Sequence, residues 1–122
     1  MESIGRPRIE EITKGRELIK LLSARGTLEI LFLFCCTEQK IRFLQLHKIL
    51  HPISTKTLAA RLRELEKLNL VKRKYYNEIP PRVEYSLTNE GQTLAKSLIP
   101  LLNWITDENK RRLKIVERAR TL

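Results

Sequence analysis

Residues 53–68 read Ile-Ser-Thr-Lys-Thr-Leu-Ala-Ala-Arg-Leu-Arg-Glu-Leu-Glu-Lys-Leu. The spacing predicts one amphipathic helix with a marked start. Ser54 is a good N-cap, because its hydroxyl can accept an otherwise unpaired backbone N–H of the first turn. Leu58, Leu62, Leu65 and Asn69 fall on one side at helical spacing, and three of the four are apolar. Lys56, Ala60, Arg63 and Lys67 face the other way. At the N-terminal end the outer face is small and hydrogen-bonding: Thr55, Lys56, Thr57, Ala59 and Ala60. A face of that kind fits close to base edges in a major groove, where a bulky or acidic face would not. Taken alone, such a helix is more simply a solvated basic surface. Its neighbours in sequence reverse that preference.

Upstream, Ile41-Arg-Phe43 is a candidate short strand. Phe43 to Leu50 then forms a short helix with Leu46, Ile49 and Leu50 expected inward, ended by His51-Pro52 because proline cannot continue a helix. Only His51 to Ile53 separates it from the cap at Ser54. Two helices joined so tightly form a helix-turn-helix, with the second as reader. Downstream, Asn69-Leu70 closes the long helix. Val71-Lys-Arg-Lys-Tyr-Tyr76 is β-prone and strongly basic, and Asn77 to Pro81 forms a turn. Arg82-Val-Glu-Tyr-Ser-Leu87 alternates, with Val83, Tyr85 and Leu87 on one face and Arg82, Glu84 and Ser86 on the other. A structural hairpin needs no Lys72-Arg73-Lys74 run. A basic hairpin after a reader helix reads as a wing, whose cations reach phosphate or the minor groove beside the helix. Helix and wing together are expected to present one continuous positive surface.

The rest of the chain supports this centre. Residues 1–8 read as a loose arm, either brushing a DNA backbone or simply a tail. Ile9 to Leu22 reads as a helix with Gly15 as its weak point, broken by Ser23 to Gly26. Thr27 is expected to cap the next helix, whose Leu28, Ile30, Leu31, Phe32, Leu33 and Phe34 make it apolar nearly all round and place it centrally. Thr88 is expected to cap a helix with the stripe Leu94, Leu98, Leu101, Leu102 and Ile105. Pro100 either kinks that helix or starts a new one. The basic stretch from Asp107 keeps Leu113, Val116 and Ala119 on a thin apolar stripe, which points to a partner helix.

At 122 residues the chain is read as one domain: arm 1–8, N-terminal helix 9–26, winged-helix core 27–87 and C-terminal dimerisation helices 88–122. Twenty-four Lys and Arg against fourteen Asp and Glu give a net charge of +10, which points to a polyanionic partner, nucleic acid foremost. No apolar run is long enough to span a bilayer, and the N-terminus has no signal-peptide core, so a cytoplasmic location without membrane contact is expected. The two cysteines, Cys35 and Cys36, are adjacent and cannot readily pair. Buried small hydrophobes are their ordinary role; Cys36, nearer the polar turn, is the candidate if either thiol senses oxidants. His47 and His51 lie four apart, but Pro52 follows the second and no catalytic pattern surrounds them. No metal, cofactor or enzymatic activity is therefore expected.

From Ile41 to Trp104 the chain resembles the HxlR family of winged-helix transcriptional regulators, relatives of the MarR group. The matching residues are Arg42-Phe43 with Leu46; Ile53-Ser54, Leu58 and Arg61 to Glu66; Leu70 to Arg73; and Pro80-Pro-Arg-Val-Glu-Tyr-Ser-Leu-Thr88 with Gly91 and Leu94, then Trp104. The resemblance implies a homodimeric DNA-binding repressor or activator, joined through its first and last helices. It also departs from the family. Ile9 to Gly26 contains no Cys where the family often carries a sensing thiol, and Arg25-Gly26-Thr27 stands in place of a Lys-Trp.

The fold class expected is therefore mainly α with a small β-wing, a winged helix-turn-helix flanked by dimerising helices. The function expected is sequence-specific binding of double-stranded DNA by a transcriptional regulator. Its contacts would come from Ser54, Thr55, Lys56, Thr57, Ala60, Arg61 and Arg63 on the reader helix, and from Arg73, Lys74, Tyr76 and Arg82 on the wing. Arg61, on the flank, is alternatively a packing residue paired with Glu64 or Glu66. The alternatives are a protein-interaction or basal-transcription winged helix meeting an acidic partner, and an RNA-binding one, for which Tyr75 and Tyr76 are the only stacking candidates. Neither the operator nor any effector is legible.

Overall fold

Gly15 divides the N-terminal segment in two. A computed structural model of the chain describes residues 5–37 and 40–107. In it α1 (Ile9–Lys14) and α2 (Arg16–Ser23) are separate helices, where the periodicity predicts one. The physical cause is the missing side chain at Gly15, which lowers helix propensity and lets the backbone leave helical geometry. Helix α3 (Thr27–Thr37) runs through the centre, with Ile30, Leu31 and Phe34 buried, as its all-round apolarity predicts. Thr27 does not cap it. Gly26, at φ +94°, precedes the helix and its carbonyl oxygen accepts from the Ile30 N–H. Thr27 lies inside the first turn, fully buried, with its hydroxyl unpartnered.

Strand β1 (Ile41–Arg42) leads directly into α4 (Phe43–Ile49). The Arg42 N–H donates to Gln45 Oε1 at 2.9 Å, which occupies one backbone donor at the helix entry. Leu46 is buried as predicted, but Ile49 is 59% exposed. Leu46 and Leu50, four apart, define the inward line, and Ile49 falls to one side of it. Helix α5 (Thr55–Lys67) buries Leu58, Leu62 and Leu65. Its two ends are both capped. The Ser54 hydroxyl accepts from the Thr57 N–H at 3.1 Å. At the C-terminus Asn69 adopts φ 58°, its N–H bonds the Glu66 carbonyl and the Leu70 N–H bonds the Leu65 carbonyl. This is the Schellman arrangement, completed by the buried Leu65 and Leu70.

Strands β2 (Val71–Tyr76) and β3 (Arg82–Leu87) form the hairpin, and β1 adds to the far edge of β3 in an antiparallel sheet of order β1-β3-β2. Ile41 faces Tyr85 and Val71 faces Leu87. Helix α6 (Asn89–Asp107) is one continuous element with Pro100 inside it, so Pro100 does not start a new helix. Leu94 and Leu98 pack on the core, whereas Leu101 and Ile105 are 41% and 48% exposed. The stripe outruns the core it was expected to cover. The basic stretch predicted after Asp107 lies outside the described residues. Among the described residues no helix is long and apolar enough to cross a membrane.

Candidate nucleic-acid interface

The outer face of α5 follows from its inner one. Burying Leu58, Leu62 and Leu65 turns Lys56, Ala60, Arg63 and Lys67 outward at the 3.6-residue period. Ser54, Thr55, Lys56 and Arg63 are exposed, and Thr57 and Ala60 are half-buried. Ser54 and Thr57 are also occupied with each other: besides the cap, the Ser54 hydroxyl donates to Thr57 Oγ1 at 3.1 Å.

Arg61 turns away from this face. Its Nε donates to the Arg25 carbonyl oxygen at 2.9 Å and its guanidinium meets Glu64 Oε1 at 2.6 Å. The Arg61 stem lies beside Gly26, so the residue ties α5 to the turn between α2 and α3. Of the two roles open to Arg61 in the sequence, packing and pairing is the one its geometry supports.

The wing is joined to the reader helix by a short clamp. Leu70, the last residue of the α5 cap, is followed at once by β2. The Leu70 carbonyl accepts from the Thr88 N–H at 3.0 Å, and the Asn69 carbonyl accepts from the Thr88 hydroxyl at 2.6 Å. The same Thr88 Oγ1 accepts from the Gly91 N–H at 2.9 Å, which makes Thr88 the cap of α6, as predicted. One side chain thus holds the end of α5, the base of the hairpin and the start of α6 together. Helical spacing and strand alternation do not predict this clamp. Its signals were Asn69 at a helix end, a residue type that tolerates positive φ, and a threonine just after the second strand.

Pairing register divides the wing cations. Arg73 stands opposite Tyr85 and Lys74 opposite Glu84. Side chains alternate along a strand, so Arg73 shares the face of the buried Val71 and Tyr85, and Lys72 and Lys74 occupy the other. The basic run is therefore two surfaces back to back rather than one continuous sheet of charge. Toward the tip the second face is stiffened by stacked groups. Arg82 sits 4.0 Å from the Tyr76 ring centroid and Lys74 5.0 Å from it. Arg82 also pairs with Glu78 at 3.3 Å and Glu84 at 3.8 Å. Two neighbouring carboxylates and an aromatic face leave it little freedom, while Arg73 and Lys74 remain exposed.

The cysteines part ways at the end of α3. Cys36 is exposed and free. Cys35 is partly covered, and its thiol donates to the Ala95 carbonyl at 3.6 Å, a link between α3 and α6. Burial pushes the Cys35 thiol above its ordinary range, and the adjacent Cys36 pushes the same way. A thiol so placed is a poor nucleophile.

The family model described as HxlR-like helix-turn-helix matches residues 21–113. An uncharacterized HTH-type transcriptional regulator of Halalkalibacterium halodurans is 41% identical over 86 residues, covering 70% of this chain and 75% of that one. A solved structure titled as the transcriptional regulator ytfH of Salmonella typhimurium superposes with a TM-score of 0.72 at 30% identity, over 88% of this chain and 91% of its own. A structure from Enterococcus faecalis V583, titled as a MarR-family regulator, gives 0.67 at 28% identity over 98% of this chain and 99% of its own. The match spans α3 through α6 and takes in the helix-turn-helix, the wing and the clamp between them: this chain belongs to the HxlR-like helix-turn-helix family of transcriptional regulators.

Proposed function

We propose that the chain is a homodimeric regulator that binds double-stranded DNA in a sequence-specific manner, with α5 in the major groove and the β2–β3 wing on the adjacent backbone or minor groove. The observation that carries this reading is the clamp at Asn69, Leu70 and Thr88. It fixes the angle between a small-faced helix and a basic hairpin, and such preorganisation lets both engage one duplex without an ordering cost. Thr55, Lys56, Ala60 and Arg63 make the groove contacts, with Ser54 and Thr57 at the helix N-terminus beside the backbone. Arg73, Lys74 and Tyr76 make the wing contacts. Arg82 orients Tyr76, and Arg61 holds the reader helix in place.

Pairing of two copies rests on exposed apolar side chains at both ends of the chain. Ile9, Ile12 and Ile19 on α1 and α2, and Leu101 and Ile105 on α6, are each between 41% and 81% exposed. Helices with that much unpaired apolar surface fit a second copy better than water. In such a dimer the reader helices lie about one DNA turn apart, roughly 34 Å, and the operator is a near-palindrome. Selection of bound duplexes from a random pool, with light scattering at micromolar concentration, tests the reading. A shared palindromic motif and a dimer mass are expected; enrichment of no motif overturns sequence-specific readout.

A further inference from the structure

A cavity of about 490 Å³ opens between α3, the outer face of the wing and α6. None of its lining residues lies on α5, so it has no part in the groove contacts described above. Its floor is apolar: Phe34 from α3, Leu87 from β3, and Ala95 and Ile99 from α6. Its rim is cationic: Lys40 before β1, Lys72 on β2 and Lys96 on α6. Among the described residues no carboxylate lines it. Among the described residues none of these three lysines has an ion-pair partner within 4.0 Å. Ser86 and Gln92 add neutral hydrogen-bonding groups between floor and rim. The volume is that of an ordinary small-molecule site.

Three lysines without an ion-pair partner among the described residues border an apolar hollow open to water, which leaves two things uncompensated: positive charge at the rim and apolar surface in solvent. Both are relieved by one kind of occupant: a molecule with an apolar body and more than one negative charge at its head. A neutral hydrocarbon leaves the amines unpaired, and a bare anion leaves the floor unfilled. We propose that this cavity binds an amphipathic organic dianion of the phosphate-monoester or dicarboxylate class, and that its occupancy weakens the grip of the wing on DNA. The second half rests on the function proposed above. Lys72 belongs to the basic run of the wing, and Lys40, Lys72 and Ser86 also border a smaller hollow lined as well by Arg73, Lys74 and Glu84. A dianion at the rim neutralises cations on that face, so the wing meets a duplex with less positive charge.

The test uses the full chain and 1-naphthyl phosphate as probe, titrated by calorimetry in the absence of DNA. Binding with a Kd of about 10–100 µM is expected from a ligand of this size. Inorganic phosphate and 1-naphthol are expected to give no heat at the same concentrations. Lys96→Glu should weaken the probe at least about tenfold by reversing one rim charge. Gln92→Trp, which places bulk in the cavity from an exposed position, should abolish binding while circular dichroism and the melting temperature stay as in the parent. Absence of heat with the parent chain overturns the site, as does equal binding of inorganic phosphate or undiminished binding by Gln92→Trp. A Gln92→Trp chain that loses half its mass in light scattering also overturns it, because a second copy then fills the hollow. For the regulatory half, saturating probe should lower affinity for the selected duplex about fivefold or more in the parent and not in Gln92→Trp. Calorimetric binding without that drop overturns the coupling. A chain that binds no duplex at all overturns the DNA reading and the coupling with it, while the calorimetry still decides the site.

Discussion

The α-carbon of Gly91 rests against the carbonyl oxygen of Leu70, so that the first turn of α6 and the last residue of the reader-helix cap share a backbone contact with no room between them. A Cβ at position 91 would overlap the Leu70 carbonyl and also press on Leu87. The helix α6 start, the wing base and the α5 end meet at this point, which is where the geometry of the whole interface is set.

Gly91→Ala should therefore destabilise the chain, although the same change in an unobstructed helix would stabilise it by about 1 kcal/mol. The obstacle is backbone, which cannot rotate aside, so a loss of about 3 kcal/mol or more is expected from overpacking. Urea unfolding monitored by circular dichroism gives the sign. A midpoint at or above that of the parent would contradict the contact.

Arg61→Ala should act on stability before it acts on recognition. It removes the charged hydrogen bond to the Arg25 carbonyl and the pair with Glu64. The Glu64 side chain is 43% exposed, so solvent screens the ion pair, and the loss should be about 1–2 kcal/mol, most of it from the hydrogen bond. That corresponds to a fall in melting temperature of about 4 °C per kcal/mol for a domain of this size. Sequence preference among duplexes should be unaltered at temperatures where the variant is folded. A changed base preference would place the Arg61 guanidinium on DNA instead.

Reader-helix and wing substitutions should separate by their dependence on sequence and salt. Lys74→Ala should weaken binding to all duplexes alike and reduce the salt slope by about one. Lys56→Ala or Arg63→Ala should cost about 1–3 kcal/mol on the cognate site where the side chain reads a base edge. Fluorescence anisotropy across salt concentrations, on selected and scrambled duplexes, measures both. If the Lys56→Ala, Arg63→Ala double variant bound the selected duplex as tightly as the parent, α5 would not be the reader.

Cys35 should alkylate slowly in the folded chain. Burial, then the adjacent Cys36, raises its thiol above the ordinary value of 9.0, so the thiolate is scarcer than in the unfolded chain. Iodoacetamide at pH 8 should modify Cys36 well before Cys35, with the difference abolished in urea; peptide mass mapping reads both sites. The linkage has a definite sign. A thiol that ionises less readily when folded favours the native state fully below pH 9.0, and that contribution is lost as pH rises through the higher folded value. Equal alkylation rates for the two cysteines in native buffer would contradict the burial.

Much of this molecule is legible in its amino-acid order because the deciding signals are local. Helical spacing at Leu58, Leu62 and Leu65 fixes which face of α5 is buried. A hydroxyl at Ser54 and another at Thr88 mark helix starts, and strict alternation from Arg82 to Leu87 fixes the two faces of β3. Each depends on residues within a turn or a strand of one another, so period and capping chemistry suffice. They also bring out the family, since the same positions carry the resemblance.

What local pattern could not supply is how far the core extends and where long side chains go. Leu101 and Ile105 continue a correct stripe past the core formed by the described residues, and Ile49 falls to one side of the line set by Leu46 and Leu50. Arg61 and Arg63 are two cations two residues apart on one helix, yet only contact with the α2–α3 turn distinguishes the one that holds from the one that is free. Likewise the Lys72-Arg73-Lys74 run reads as one patch until cross-strand register sends alternate residues to opposite faces. The sequence determined the elements and their inner sides, because those follow from short-range periodicity and capping. Tertiary structure alone decided the clamp at Thr88, the fate of each arginine and the lysine-rimmed cavity, because each depends on groups that are distant in the chain and meet only when the helices and wing are packed.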